Sequence, residues 1–258
     1  GNDTSLRDFS TYNSVGTIED HCCSGDTALT NVALNGSVSS IEKHAFEDCT
    51  SLTNVSVNDS LSFLGVAPFR GCDNLSYVDF NGNSRYTCDS SIIYSTDSTG
   101  NKVTLIECLE GRNSRYVNSA ETAGVKEIST EAFAECDKIH EVDLSGSQIK
   151  SIPTNCFEDT TSLNSVKLSY ATEEINDYAF DGSAVRYIEG TLYLDMIDMY
   201  AFDHINTTGW NTVSKSGDHA DNSEVTICAP EDSYLYKYAD RHGYTAISSS
   251  AIEYFEVK

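Results

Sequence analysis

A recurring hexapeptide constrains this chain more than any other feature. Ala-Phe follows an Ile in "IEKHAF", ending at Phe46, "ISTEAF" at Phe133, "INDYAF" at Phe180 and "IDMYAF" at Phe202, with the variants "LGVAPF" at Phe69 and "IPTNCF" at Phe157. Intervals between these Phe residues are 23, 64, 24, 23 and 22, so one period of about 23 residues fits all but one of them. Three residues past the first five in chain order stands a small residue (Cys49, Cys72, Cys136, Thr160, Ser183). A short alternating run follows: "LTNVSV" from Leu52, "LSYVDF" from Leu75, "IHEVDL" from Ile139 and "LNSVKL" from Leu163. The frame extends upstream to "IEDHCC" and "LTNVAL" from Leu29, and loosely downstream to "VRYIEG" from Val185, giving seven turns from about Ile18 to Phe202.

Such a period dictates a stack. Leu-x-x-Val-x-Val sends alternate side chains to opposite faces of a short strand, so its apolar residues share one side. The remainder of each turn bends back and adds its Phe to the same interior. One turn cannot close a core, but stacked turns pair their strands in parallel and bury a continuous column of Phe, Leu, Val and Ile. Strands are expected near residues 32–34, 55–57, 78–80, 142–144 and 166–168.

These residues resemble the BspA-like leucine-rich-repeat proteins of bacterial and protist cell surfaces. The shared pattern is Ile, Ala-Phe, a small residue three positions on and Leu-x-x-Ile-x-Ile, and the likeness covers roughly residues 18–247. It implies an α/β, β-rich leucine-rich-repeat solenoid in one domain over residues 1–258, with 1–17 as a lead-in, repeats over 18–202 and an irregular last turn and C-terminal cap over 203–258. The interval of 64 leaves 64 − 23 = 41 extra residues, between about Asn81 and Gly124. "SSIIYSTDSTGNKVTLIECLEG" there resembles a β-hairpin insertion of that family, with "IIY" and "VTLIE" as strands and "TDSTGN" as the turn; two degenerate turns are the alternative. Near the end, Pro230 to Ser233 reads as a helix start, Tyr234 to His242 as a helix with Leu235, Tyr238 and Ala239 on one face, and Gly243 as its stop. That helix is expected to close the open end of the stack. Residues 203–224, polar and with the lone Trp210, read as a long loop or irregular turn.

Chemistry-bearing residues are sparse. Six of the nine Cys fall in repeat slots as core fillers: Cys22, Cys23 and Cys156 in the Ala or Phe position, Cys49, Cys72 and Cys136 in the small one. Cys88 and Cys108 flank the hairpin, where a disulfide or two unlinked thiols are both open. The six His are scattered, with no His-Glu-x-x-His and no pair at ligand spacing, and His44 and His140 read as solvated surface. A nucleophile elbow, a P-loop and a dinucleotide Gly pattern are absent, so no catalytic residue, metal or cofactor is assigned and the chain is read as non-enzymatic.

Sixteen Lys and Arg against forty Asp and Glu give a net charge of −24, which argues against a nucleic-acid or anionic-membrane partner. Function then falls to the outward strand positions, expected on the concave side of the solenoid. Tyr77, Asp79, Glu141, Asp143, Lys167, Tyr187 and Glu189 are the candidate ligand-binding residues, with Tyr77, Asp79, Glu141 and Asp143 as the central cluster. The resemblance implies a secreted or cell-surface, adhesion-type module, monomeric, binding a protein or glycan. A spacer segment of a larger surface protein is the alternative, and a carbohydrate-active enzyme or peptidase ranks below both. A start at Gly1 without a basic-then-apolar order reads as a chain whose leader has been removed.

Overall fold

The alternating runs form the short strands expected of them. In the computed structural model, residues 3–12, 14–202, 204–205 and 225–249 are described, grouped in one compact unit of Gly1–Asn113 with Ser129–Cys136 and a second of Ser114–Ile128 with Asp137–Lys258. Most of the expected irregular segment, Trp210 included, lies outside the described residues.

Strands of the first unit are, in chain order, β1 (Asp8–Ser10), β2 (Thr17–Ile18), β3 (Asn31–Leu34), β4 (Ser40–Ile41), β5 (Asn54–Val57), β6 (Phe63–Leu64), β7 (Val78–Asp79), β8 (Tyr86–Asp89), β9 (Ile92–Thr96) and β10 (Lys102–Cys108). β1, β3, β5 and β7 form one parallel ladder, in which Phe9, Val32, Val55 and Val78 are mutual partners. The register is one repeat per step, because a slip of one residue would turn every buried Val and Leu outward. A second, two-residue strand follows each of β1, β3 and β5, and these strands, β2, β4 and β6, pair in parallel through Ile18, Ile41 and Leu64. Between the ladders, Phe46 and Phe69 stack with ring centroids 5.6 Å apart.

The Ala-Phe segments that end at Phe46, Phe69, Phe133, Phe157 and Phe180 each sit between two left-handed residues, one just ahead of the last two residues and one two places past the Phe. His44 and Asp48 have φ of 54° and 57°, and Glu131 and Glu135 both 60°. A side chain in that region costs about 1–2 kcal/mol, which the stack offsets by fixing the intervening backbone. Phe46 N–H donates to Pro68 O at 2.9 Å and Asp48 N–H to Arg70 O at 2.8 Å, one turn on.

The interruption combines both sequence-based alternatives. β9 and β10 pair antiparallel across the Asp97–Asn101 turn as expected, and β8 adds an unpredicted third strand against β9. The end of β10 nevertheless runs as part of a turn. Ser129 N–H donates to Leu105 O at 2.9 Å and Cys108 N–H to Ala132 O at 2.7 Å, in the manner of Ala-Phe segments elsewhere. The Cys136 thiol bonds Cys108 O at 3.1 Å just as Cys49 bonds Cys23 O and Cys72 bonds Phe46 O, so Cys108 occupies the Phe slot of a degenerate turn.

The same pairing decides between the two readings of Cys88 and Cys108. Cys88 is partnered with Ile93 and Cys108 with Ile92 on the intervening β9, which separates their Cα atoms by two strand spacings, about 9.6 Å, against the roughly 4.4–6.8 Å of a disulfide. Both are free thiols. Cys22, expected in the core, is exposed, because among the described residues no Ala-Phe segment precedes it to cover it. Seven of the other eight are buried, and burial pushes half-buried Cys88 up to about 11. Native protein at pH 7.5 is therefore expected to yield one fast thiol per chain to Ellman's reagent, abolished by Cys22→Ser, and nine in urea. Two or more fast native thiols would contradict the burial pattern.

The second unit repeats the design with β11 (Tyr116–Val117), β12 (Glu127–Ile128), β13 (Glu141–Asp143), β14 (Ser151–Ile152), β15 (Ser165–Lys167), β16 (Glu174–Ile175), β17 (Tyr187–Glu189), β18 (Met196–Ile197), β19 (Thr226–Ala229), α1 (Tyr234–His242) and β20 (Thr245–Ser248). β11, β13, β15, β17, β19 and β20 form a parallel sheet, and β14, β16 and β18 the companion ladder. Phe157, Phe180 and Phe202 stack at 5.0 and 5.2 Å. α1 is the expected cap: the Ser233 hydroxyl accepts from Tyr236 N–H, Gly243 closes the other end at φ 79°, and Leu235, Tyr238 and Ala239 are its buried residues. Its ring Tyr238 lies 6.2 Å from Phe202, ending the Phe column, and β20 adds a strand beyond β19 that the sequence reading lacked.

Candidate functional site

Pleating places every second residue of each main-ladder strand outward, and stacking at a fixed period aligns these residues in rows. On the first unit the outward residues of β3 and β5 are Asn31, Ala33, Asn54 and Ser56. Asn54 Nδ2 donates to Asn31 Oδ1 at 2.8 Å and Asn31 Nδ2 to Asp8 Oδ1 at 2.6 Å, a side-chain ladder that links successive turns. Tyr77 stands beside it, 55% exposed, its phenol held above the usual value by partial burial and then by the Asp79 carboxylate. These residues line one shallow groove together with Asp79.

On the second unit the register sets two rows. Tyr116, Glu141, Ser165, Tyr187 and Thr226 are successive partners, as are Asp143, Lys167, Glu189 and Cys228. Tyr116, not anticipated from the sequence, is 53% exposed and extends the aromatic row; its two-residue strand carries no alternation by which to find it. Lys167 Nζ meets Glu189 Oε1 at 2.9 Å, and that hydrogen bond raises the lysine above its usual value. Burial first, then a hydrogen bond with Cys228, pushes the Tyr187 phenol up.

Of the seven candidates, then, the first unit holds Tyr77 and Asp79 and the second holds Glu141, Asp143, Lys167, Tyr187 and Glu189. Asp79 and Asp143 have a role that was not foreseen. Each accepts the backbone N–H two residues on, Asn81 at 2.9 Å and Ser145 at 2.8 Å, and so shapes the bend after its strand. Tyr77, Glu141 and Tyr187 are the members that most fully present recognition chemistry, aromatic faces and a hydrogen-bonding carboxylate.

His44 departs from its expected surface position. It is 7% exposed, and its Nε2 lies 2.6 Å from Glu131 Oε2. Burial alone would raise Glu131, but the hydrogen bonds from His44 and Lys43 outweigh it and hold the carboxyl below its usual value. Arg70 bonds the same carboxylate at 3.2 Å and Glu135 at 2.7 Å. Among the described residues no helix is long and apolar enough to cross a membrane.

Comparison with known proteins fits this geometry. The family model described as a BspA type leucine rich repeat region matches in six copies over residues 2–107 and 108–208. Among solved structures the fold is similar to that of the pneumococcal vaccine antigen PcpA, with a TM-score of 0.58 and 16% identity over 94% of this chain and 68% of that one. It is also similar to a leucine rich cell surface protein from Faecalibacterium prausnitzii A2-165, with a TM-score of 0.59 and 24% identity over 83% of this chain; the chain spans 60% of that protein's length. No curated protein matches by sequence. Six copies of the repeat, each translated into the strand, bend and Phe slot described above, show that this chain belongs to the BspA-type leucine-rich-repeat family.

Proposed function

We propose that the chain is a non-enzymatic recognition module of the cell exterior, docking a protein or glycan on its outward strand faces. Membership of a repeat family and the likeness to a cell surface protein support the location. One observation carries the docking role: Tyr116, Glu141 and Tyr187 stand in one register row, aligned by the ladder itself. A rigid row of two phenols and a carboxylate offers aromatic contact and hydrogen bonds with little side-chain entropy to lose. The charge of −24 directs the expectation to neutral or basic ligands, away from nucleic acid and anionic lipid.

The test is a screen of the full chain on extracellular-matrix-protein and glycan arrays, repeated with Glu141→Ala, Tyr187→Ala and, for the first unit, Tyr77→Ala. Binding that falls at least tenfold in one of these variants supports the proposal. Binding that all three leave unchanged removes the strand faces from consideration, and a chain that binds nothing leaves the spacer role in its place.

A further inference from the structure

The repeat that builds the core also stacks polar residues one turn apart. His21 of "IEDHCC" and His44 of "IEKHAF" are 23 residues apart and share one slot, the left-handed residue before the Ala position, with φ of 51° and 54°. That common backbone conformation aims both imidazoles the same way, and their rings meet edge to face with centroids 5.2 Å apart. Glu47, three residues past His44, reaches between them. Its Oε1 lies 3.3 Å from His44 Nδ1 and its Oε2 3.4 Å from His21 Nε2.

The remaining ring nitrogens are committed elsewhere. His21 Nδ1 lies 2.7 Å from Asp20 Oδ1, and His44 Nε2 lies 2.6 Å from Glu131 Oε2. A neutral imidazole has one N–H, and the shorter contacts, to Asp20 and Glu131 rather than to Glu47, are the ones that favour placing it there. His21 Nε2 and His44 Nδ1 then point lone pairs at the Glu47 carboxylate. Three potential ligand atoms thus converge, all within 4.8 Å of one another, as they must to hold a cation. Each imidazole is meanwhile oriented by a carboxylate behind it, the arrangement that fixes the tautomer and raises the basicity of metal-bound histidine.

We propose that His21, His44 and Glu47 form a zinc site. Bonds of about 2.0–2.1 Å to a tetrahedral ion set neighbouring ligand atoms roughly 3.3–3.4 Å apart, and each imidazole nitrogen already stands that far from the Glu47 oxygen nearer to it, Oε1 for His44 and Oε2 for His21. Two imidazoles and a carboxylate suit zinc, and as three protein ligands they leave the fourth position to water. Buried His44 and half-buried Glu47 form a fixed wall, exposed His21 is the open side, and the acidic surface favours cation uptake. The spacing that creates the site is the repeat period, so local ligand patterns such as His-x-x-x-His could not disclose it.

The 258-residue chain, stripped with a chelator and held reduced, is titrated with zinc chloride by calorimetry. The expected result is one zinc per chain at these residues, with affinity falling at least about 100-fold in His21→Ala, since even partners behind the ligands are worth about 10–100-fold. Glu47→Gln is expected to weaken binding at least tenfold, and Cys22→Ser, which removes the neighbouring exposed thiol, to leave it unchanged. Circular dichroism checks that each variant keeps the wild-type fold; His21, being exposed, is the substitution least able to disturb it. Wild-type chain that takes up no zinc, affinity unaltered by His21→Ala, or uptake abolished by Cys22→Ser would each overturn the assignment.

Discussion

Phe180→Ala is expected to destabilise the second unit by about 3–5 kcal/mol, measured by urea unfolding. Phe180 is 0% exposed and lies between Phe157 and Phe202 at 5.0 and 5.2 Å, in near-parallel stacks. Truncation removes the transfer energy of a whole ring and two aromatic contacts, each worth about 0.5–1.5 kcal/mol. The hole cannot readily close. Phe157 N–H donates to Ala179 O at 2.8 Å and Phe180 N–H to Ala201 O at 3.0 Å, so the turns on either side are held at their spacing by the backbone. Cost grows with the cavity that survives relaxation, which places this position toward the upper end of the range. Tyr178→Ala is the control. Tyr178 stacks on Tyr200 at 5.4 Å in the same two turns but at the surface, and its loss is expected to cost less than about 1 kcal/mol. Equal losses in the two variants would mean that the Phe column is not what holds the turns together.

That column was legible because the Phe recurs at a fixed distance from a run with its own alternation. Two periodicities that agree leave one way to stack, and β3, β5, β13 and β15 begin within one residue of the expected positions. α1 was legible for a different reason: Ser233 and Gly243 are local signals, sufficient in themselves to start and stop a helix. The two-residue strands β2, β4 and β6 were not, since two residues contain no pattern and the neighbouring turns alone define them. Cys108 was misplaced because its slot is set by Ala132 and Cys136, more than twenty residues on. The candidate site divides similarly. Alternation placed Tyr77, Glu141 and Tyr187 outward, but the Lys167–Glu189 ion pair and the backbone bonds of Asp79 and Asp143 depend on which atoms the next turn or bend presents. His44 is the clearest case: its burial and its partner Glu131 come from a segment 87 residues away.

Raising the pH from 5 to 8 is expected to destabilise the first unit, and Glu107→Gln to remove much of that dependence. The degenerate turn leaves two N–H groups without the carbonyl that other turns supply. Phe46 N–H reaches Pro68 O and Gly25 N–H reaches Glu47 O, but Phe69 N–H instead finds the Glu107 carboxyl, at 3.1 and 3.4 Å, and Gly71 N–H the Glu110 carboxyl at 2.7 Å. Two side chains thus stand in for main-chain acceptors. Burial raises Glu107 from its usual 4.5 to about 8, against the opposing Phe69 N–H; burial and then the Asp73 carboxyl raise Glu110 to about 9, against the Gly71 N–H. At neutral pH both are predominantly carboxylic acids, which accept an N–H through the carbonyl oxygen without burying a charge. A folded-state value above the unfolded one means that unfolding releases a proton between pH 4.5 and 8. The stabilisation is therefore complete below about pH 4.5 and is lost at up to about 1.4 kcal/mol per pH unit, per group, as pH rises toward the folded value. Glutamine keeps the acceptor oxygen and cannot ionise. Urea unfolding of wild type and Glu107→Gln from pH 5 to 9 should give curves that diverge with rising pH, the variant gaining stability relative to wild type, and Glu107→Gln with Glu110→Gln should extend that gain to about pH 9. Parallel curves would show that Glu107 is ionised in the folded chain throughout, and that the missing turn is bridged by a buried charge.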